Sequence, residues 1–223
     1  QTAYLRCHYY KEYMVALLSS VIGNGSKTAE YIEDLTSQGL SLLPPDINKS
    51  QAGFSAEEKG IRFGLLGIKS MGMNMIDTIT EQRREKPFIS FYDFCKRTSG
   101  RIVNRKAIEA LIKSGALDNL DANRKEMLLS YDSLLDTLSL NRDIDGQMDL
   151  FGAFGEGESD FNKPYEIPHC DEYPTQQLLM MEKEILGIFI SGHPTDSYRR
   201  SAKEQGAVNI ASVLDERADG QKI

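Results

Sequence analysis

Apolar residues recur at helical spacing along most of this chain, in short stretches that are separated by only a few turn residues. Within residues 10–21, and again within residues 127–138, they follow one another at spacings of 4, 3 and 4, which is the period of a helix with one buried face. Such stretches begin at a capping residue and end at a glycine; Asn104 and Gly115 lie at the two ends of one of them. The pattern predicts a mainly α fold built from short helices and helical hairpins.

Two segments interrupt the helical period. Residues 40–48 form a short apolar run followed by Pro44-Pro45, which excludes helix, and residues 61–65 are predicted to pair with this run as a small β element. Residues 141–174 are rich in Gly, Asp, Glu and Pro and show no period, so we interpret them as an exposed, flexible linker.

The chain is therefore expected to contain five segments. They are residues 1–70, helices with the short β element; 71–120, two helical hairpins in tandem; 121–140, a long helix; 141–175, the linker; and 176–223, a helix followed by an extended stretch.

Charge is distributed unevenly over the 223 residues, although the net charge is only -7. Residues 59–113, called the basic segment below, contain 12 Lys and Arg against 5 Asp and Glu, a net charge of +7. Residues 1–58 and 114–223 carry net charges of -3 and -11. A basic segment between acidic flanks is typical of a module that contacts phosphates; a solvated basic face is the alternative.

Two tight turns that lead into helices lie in the basic segment; the first follows an apolar strand or helix end. The first, residues 67–72, contains Lys69, Ser70 and Gly72; a short turn of this kind presents backbone N–H groups at a helix N-terminus, where they suit a phosphate oxygen. The second turn, residues 100–104, is flanked by four cations, Arg97, Arg101, Arg105 and Lys106. Either turn alone is typical of a plain helical hairpin, whereas two in tandem within the basic segment predict a helix-hairpin-helix module that binds duplex DNA without sequence preference.

A second candidate site lies in the predicted linker, where the sequence reads Gln147, Met148, Asp149, Leu150, Phe151. Large apolar residues in a flexible acidic segment have no core to enter, so they are candidates for docking into a partner's cleft. Packing onto their own domain is the alternative.

The sequence offers no set of catalytic or metal-binding residues. Cys7, Cys95 and Cys170 lie too far apart for a zinc cluster, and Asp143 and Asp145 fall in the predicted linker, where no rigid strand fixes their oxygens for two-metal catalysis. No stretch approaches the roughly 18 apolar residues of a membrane helix. We expect no catalytic residue, metal or cofactor in this segment, no membrane contact, and a cytoplasmic location.

Several motifs together resemble one family, the α subunits of bacterial DNA polymerase III, which are C-family replicative polymerases. The resemblance covers almost the whole chain and is carried by residues 1–18, 43–50, 61–65, 68–72, 182–187 and 191–194. The family usually has glycine where this chain has Ser70. The resemblance implies a fragment that runs from the late fingers domain to the start of an oligonucleotide-binding fold.

The resemblance also implies a function. The parent protein would be a DNA-directed DNA polymerase with Mg²⁺ in an active site whose carboxylates precede this segment, so the segment alone is expected to lack polymerase activity. Residues 71–120 would hold the primer-template duplex, Gln147 to Phe151 would bind the sliding clamp, and other replisome subunits would be partners. A helix-hairpin-helix repair protein and a helical protein-interaction module are the alternatives.

Overall fold

The structure, a computed structural model, describes residues 1–98, 103–151 and 165–206, with the backbone alone for 141–151 and for a few residues of the last helix. It is mainly helical with one small sheet, as the sequence predicts. The helices described are α1 (Thr2–His8), α2 (Tyr10–Ser20), α3 (Gly25–Ser37), α4 (Met73–Glu85), α5 (Phe91–Thr98), α6 (Arg105–Lys113), α7 (Arg124–Phe151), α8 (Thr175–Leu186) and α9 (Asp196–Glu204).

Side-chain caps start several of these helices. The Asn104 carboxamide accepts from the Ala107 N–H at 2.9 Å at the start of α6, and Gly115 closes that hairpin with φ +78°, both as predicted. Asn123 and Glu126 bond each other's backbone N–H groups at 2.9 Å at the start of α7, which is a reciprocal capping box. The Asn24 side chain caps α3 by accepting from the Lys27 N–H.

The sheet has three strands in the order β1-β3-β2. Strand β1 (Ser41–Leu43) pairs with β3 (Gly60–Arg62), as the sequence predicts, and the pairing is parallel. Strand β2 (Ser55–Glu57) adds an antiparallel edge that the sequence did not reveal. A Cβ at Gly60 would lie 2.0 Å from the Ser41 carbonyl oxygen. Glycine is therefore required for the close approach of β1 to β3.

The segment that follows β1 fastens the sheet to the helical hairpins. Asn48 exchanges two hydrogen bonds of 2.9 Å with the backbone of Phe88, just before α5. The Ile47 N–H donates to Ala116 O at 2.8 Å, and the buried Asp46 carboxylate accepts from the Asn119 side chain at 3.0 Å. The strands and the hairpins thus belong to one packed body, and residues 1–190 form a single compact unit.

Helix α6 packs against α7. Ile108 and Leu111 of α6 and Met127 and Leu134 of α7 are fully buried in the same core. Full burial of a side chain of this size contributes about 1.5–3 kcal/mol. This packing fixes the start of α6 relative to α7.

The predicted linker at 141–175 differs from the structure at both ends. Helix α7 runs through residue 151, because the sequence from 124 to 151 contains no proline and a single glycine, Gly146, and an established helix extends at little cost. Residues 165–174 are extended, but they pack against the body: the Glu172 carboxylate accepts from the Arg124 N–H at 2.8 Å and from the Lys125 N–H at 3.1 Å. These bonds supply acceptors for the first turn of α7.

Glu126 ties the same extended segment to α7. Its carboxylate accepts from the Cys170 N–H at 3.0 Å and lies 3.1 Å from His169 Nδ1. Backbone N–H donors from Asn123 and Cys170, with a further contribution from His169, lower the pKa of Glu126 below its ordinary value. Residues 165–174 are therefore an ordered part of the body.

Residues 191–206 belong to a second unit. It contains α9, where the sequence predicted only an extended stretch. The Asp196 carboxylate accepts from the His193 N–H at 2.6 Å just before this helix. Such local capping favours the helix start.

Candidate nucleic-acid interface

The first turn of the basic segment leads from a short 3₁₀ helix (Leu65–Gly67) into α4. Gly72 is the N-cap of α4 and provides no side-chain cap. None of the described residues accepts a hydrogen bond from the backbone N–H groups of Gly72, Met73 or Asn74. A Cβ at Gly72 would meet no atom within 4 Å, so the space beside these donors is open to a phosphate oxygen.

Ser70 gives this turn its shape. Its φ is +67°, and among the described residues it alone has positive φ without being glycine. The left-handed region costs an L-residue about 1–2 kcal/mol. The turn thus has the conformation that glycine would give, and Ser70 is accommodated in it under strain.

Replacing Ser70 with glycine should raise the free energy of unfolding by up to about 1 kcal/mol. The relief of left-handed strain, about 1–2 kcal/mol, exceeds the about 0.4–1 kcal/mol that glycine adds to the entropy of the unfolded chain. Urea denaturation measures the change. Ser139, exposed within α7, is the matched control, because Ser139→Gly should instead destabilise the protein. A loss of stability in Ser70→Gly would contradict the strained turn.

Lys69 is exposed, but its ammonium group contacts α8. Its Nζ donates to the Glu184 carbonyl oxygen at 2.5 Å, and its backbone N–H donates to Ile185 O at 3.3 Å. The C-terminal end of α8 is thereby joined to the first turn. Lys69 therefore has a structural bond within the body in addition to its position beside the open N–H groups.

The cations predicted around the second turn have different environments. Arg97 is mostly buried: it lies over the Phe88 ring, and it bonds to Asp93, to Lys86 O at 2.8 Å and to Gln82 O. Arg105 is paired with two carboxylates of α7. Lys106 is exposed and contacts no carboxylate of the described residues, whereas Arg101 lies outside them.

Three exposed cations at the end of α4 and on α5 lie outside the set predicted from the sequence. Arg84 and Lys86 end α4, and Lys96 lies on α5 over the Tyr92 ring. None of them forms a salt bridge with the residues that the structure describes. A helical-wheel plot marks such positions as outward-facing, but it does not show which outward cations are already bonded within the protein.

Other cations of the basic segment stabilise the fold. Arg62 forms a bidentate pair with Glu57 at 2.7 Å, and the half-buried Arg83 donates to Ile47 O and Ser50 O. Burial lowers the pKa of Arg83 from its ordinary value. The net charge of +7 therefore overstates the charge that is open to a ligand.

Within the described ranges, no group of three or more His, Cys, Asp or Glu side chains is arranged to hold a metal ion, and no helix is long and apolar enough to cross a membrane.

The open N–H groups at the first turn and the exposed cations of α4, α5 and α6 are features of a helix-hairpin-helix module, and most of the second turn lies outside the described residues. The family of the helix-hairpin-helix motif matches residues 39–127, a range that begins at β1 rather than at residue 71. That start agrees with the bonds that join residues 46–48 to the hairpins.

Curated relatives give a more specific assignment. The chain is 42% identical over 210 residues to the DNA polymerase III subunit alpha of Bacillus subtilis, covering 94% of this chain and 18% of that protein. It is 36% identical over 222 residues to the same subunit of Borreliella burgdorferi, covering 98% of this chain and 19% of the relative. It is 40% identical over 201 residues to the same subunit of Thermus aquaticus, covering 89% of this chain and 16% of that protein.

The chain belongs to the DNA polymerase III α family, as the sequence motifs predicted. It spans about a fifth of the length of the relatives that it matches.

Proposed function

We propose that this chain is a segment of a bacterial replicative DNA polymerase that binds duplex DNA through its phosphate backbone and docks a sliding clamp. The parent protein would catalyse template-directed nucleotidyl transfer in the cytoplasm, with Mg²⁺ held by residues outside this chain and other replisome subunits as partners. Support comes from the similarity to DNA polymerase III subunit alpha over nearly the whole chain and from the helix-hairpin-helix match.

The observation that carries the DNA-binding proposal is the open N-terminus of α4. Its three N–H groups, at Gly72, Met73 and Asn74, have no acceptor among the described residues. Backbone donors at a helix N-terminus bind phosphate oxygens without reading bases. Such a contact suits a polymerase, which must hold any sequence.

The cations that we propose to contact DNA phosphates differ from the set predicted from the sequence. Lys106 remains, together with Lys69 and Arg101, and Arg84, Lys86 and Lys96 join them. Arg97 is assigned to the fold instead, since its guanidinium already bonds to two carbonyl groups and one carboxylate. Arg84 lies eleven residues from Met73 in α4, about 16 Å along the helix, so the proposed contacts extend well beyond the first turn.

Duplex binding should weaken steeply with salt and should not depend on base sequence. If about four phosphates are neutralised, log K falls against log salt with a slope near -3.6. Lys106→Gln should make the slope shallower by about 0.9, the share of one phosphate. Fluorescence anisotropy with duplexes of unrelated sequence measures both quantities.

Lys27 provides the control for that titration. It is exposed on α3, outside the basic segment, so Lys27→Gln should leave the slope unchanged although it removes the same charge. Affinity that is insensitive to salt, or that changes strongly with base sequence, would contradict backbone binding and would favour a helical protein-interaction module.

The clamp proposal rests on sequence and position. Gln147, Leu150 and Phe151 have the residue types expected of the family's clamp-binding peptide, at the place where the family carries it. In the structure they are among the last residues of α7. Positions i, i+3 and i+4 share one face of a helix, so these three positions would meet a partner together.

A further inference from the structure

Arg105, at the start of α6, is held by two carboxylates of the neighbouring helix α7. We propose that Asp132 and Asp136 act as an internal substitute for phosphate, so that DNA must displace them before Arg105 can join the interface. This inference rests on the proposed DNA binding and adds a restraint on it.

The contact has the geometry of a bidentate clamp. Arg105 Nη1 donates to Asp132 Oδ1 at 2.5 Å, and Nη2 donates to Asp136 Oδ1. The two aspartates are one helical turn apart, so their carboxylates lie side by side. A guanidinium group binds two neighbouring anionic oxygens in the same forked manner, whether they belong to carboxylates or to a phosphate.

All three side chains are accessible to a ligand. Arg105 is 49% exposed, and Asp132 and Asp136 are 57% and 63% exposed. Ion pairs at such exposure are weak and are screened by salt. The aspartates can therefore be exchanged for phosphates without disturbing the buried core between α6 and α7.

The local charge makes the restraint effective. One guanidinium and two carboxylates leave a net negative charge directly beside Lys106 and the N-terminus of α6. A phosphate that approaches Arg105 meets this negative charge. The second turn would thus contribute less than its cations suggest, and the first turn would provide the main contact.

The test is a double-mutant cycle on duplex binding at 0.1 M salt. Asp132→Asn/Asp136→Asn should tighten binding about eightfold and steepen the salt slope by about 0.9, because Arg105 then neutralises one additional phosphate. Arg105→Gln should change the affinity less than about twofold in the native background and should remove the whole eightfold gain in the Asn/Asn background. Each single aspartate replacement is measured as well and should give an intermediate gain, so the test does not depend on one variant.

Glu30 and Glu33 provide the matched control. Both are exposed on α3, three residues apart, and outside the basic segment. Glu30→Gln/Glu33→Gln changes the net charge by the same amount and should leave the affinity nearly unchanged. An equal gain in this control would show a general charge effect and would overturn the inference.

The outcomes separate this inference from the proposed function. If the native chain binds duplex but Arg105→Gln costs the same in both backgrounds, the aspartates do not compete with DNA and only the inference fails. If neither the native chain nor any variant binds duplex, the proposed function fails and the inference fails with it.

Discussion

Replacing Leu150 and Phe151 with alanine should abolish binding of a bacterial sliding clamp to this chain and leave its duplex DNA affinity intact. Burial of such side chains in a preformed cleft is worth about 1.5–3 kcal/mol each. The loss of both would weaken binding by at least a factor of about 100. Since ordering a short segment opposes part of the gain, native binding should be only about micromolar, and the double variant should fall below detection.

The measurement is a calorimetric titration of clamp into each variant, with duplex binding measured in parallel. Leu129 and Leu140 supply the control: both lie on α7 and are 61% and 62% exposed, and Leu129→Ala/Leu140→Ala removes a comparable apolar area from the same helix. That control should bind the clamp normally. Equal clamp affinity in the Leu150→Ala/Phe151→Ala protein would refute the assignment, and joint loss of clamp and DNA binding would mean that these residues support the fold.

The sequence predicts most elements that are determined by local chemistry. Asn104 and Gly115 bound α6 as predicted, because a cap and a left-handed glycine act within one turn. Helices α1 and α2 are separated by a break at Tyr9, where φ is -137°. No proline or glycine marks that break. Strand β2 also escaped prediction, since Ser55, Ala56 and Glu57 show no apolar alternation and are held by pairing with β3.

Hydrogen bonds between residues far apart in the sequence explain the larger differences between the predicted and the observed structure. Residues 165–174 have the composition of a linker, yet Glu172 and Cys170 bond to groups 44 to 48 residues earlier in the chain. No periodicity can reveal such a partner. The same limit applies to the cations: Arg97 and Lys106 look equivalent in sequence, but only the fold shows that Arg97 bonds to backbone carbonyls at the end of α4.

Removing the Arg124 side chain should destabilise the protein by about 3–5 kcal/mol. The guanidinium is 5% exposed and forms a bidentate pair with Asp118 at 2.7 and 2.8 Å, together with a contact of 3.1 Å to the 2%-exposed Glu182 of α8. Arg124→Met removes the positive partner of two carboxylates, one of which is buried. Removing one partner of a buried ion pair destabilises a protein by about 3–5 kcal/mol, because the other charge stays buried without compensation. Urea denaturation of the native and variant chains gives the difference.

Two further variants distinguish a buried network from ordinary surface pairing. Arg6 pairs with Asp34 through Nη2 alone and at 56% and 32% exposure, so Arg6→Met should cost less than about 1 kcal/mol. Arg124→Met/Glu182→Met should recover much of the loss, since apolar groups of similar volume replace a buried ion pair with little penalty. If Arg124→Met and Arg6→Met cost the same, Arg124 does not hold α7 and α8 to the hairpins.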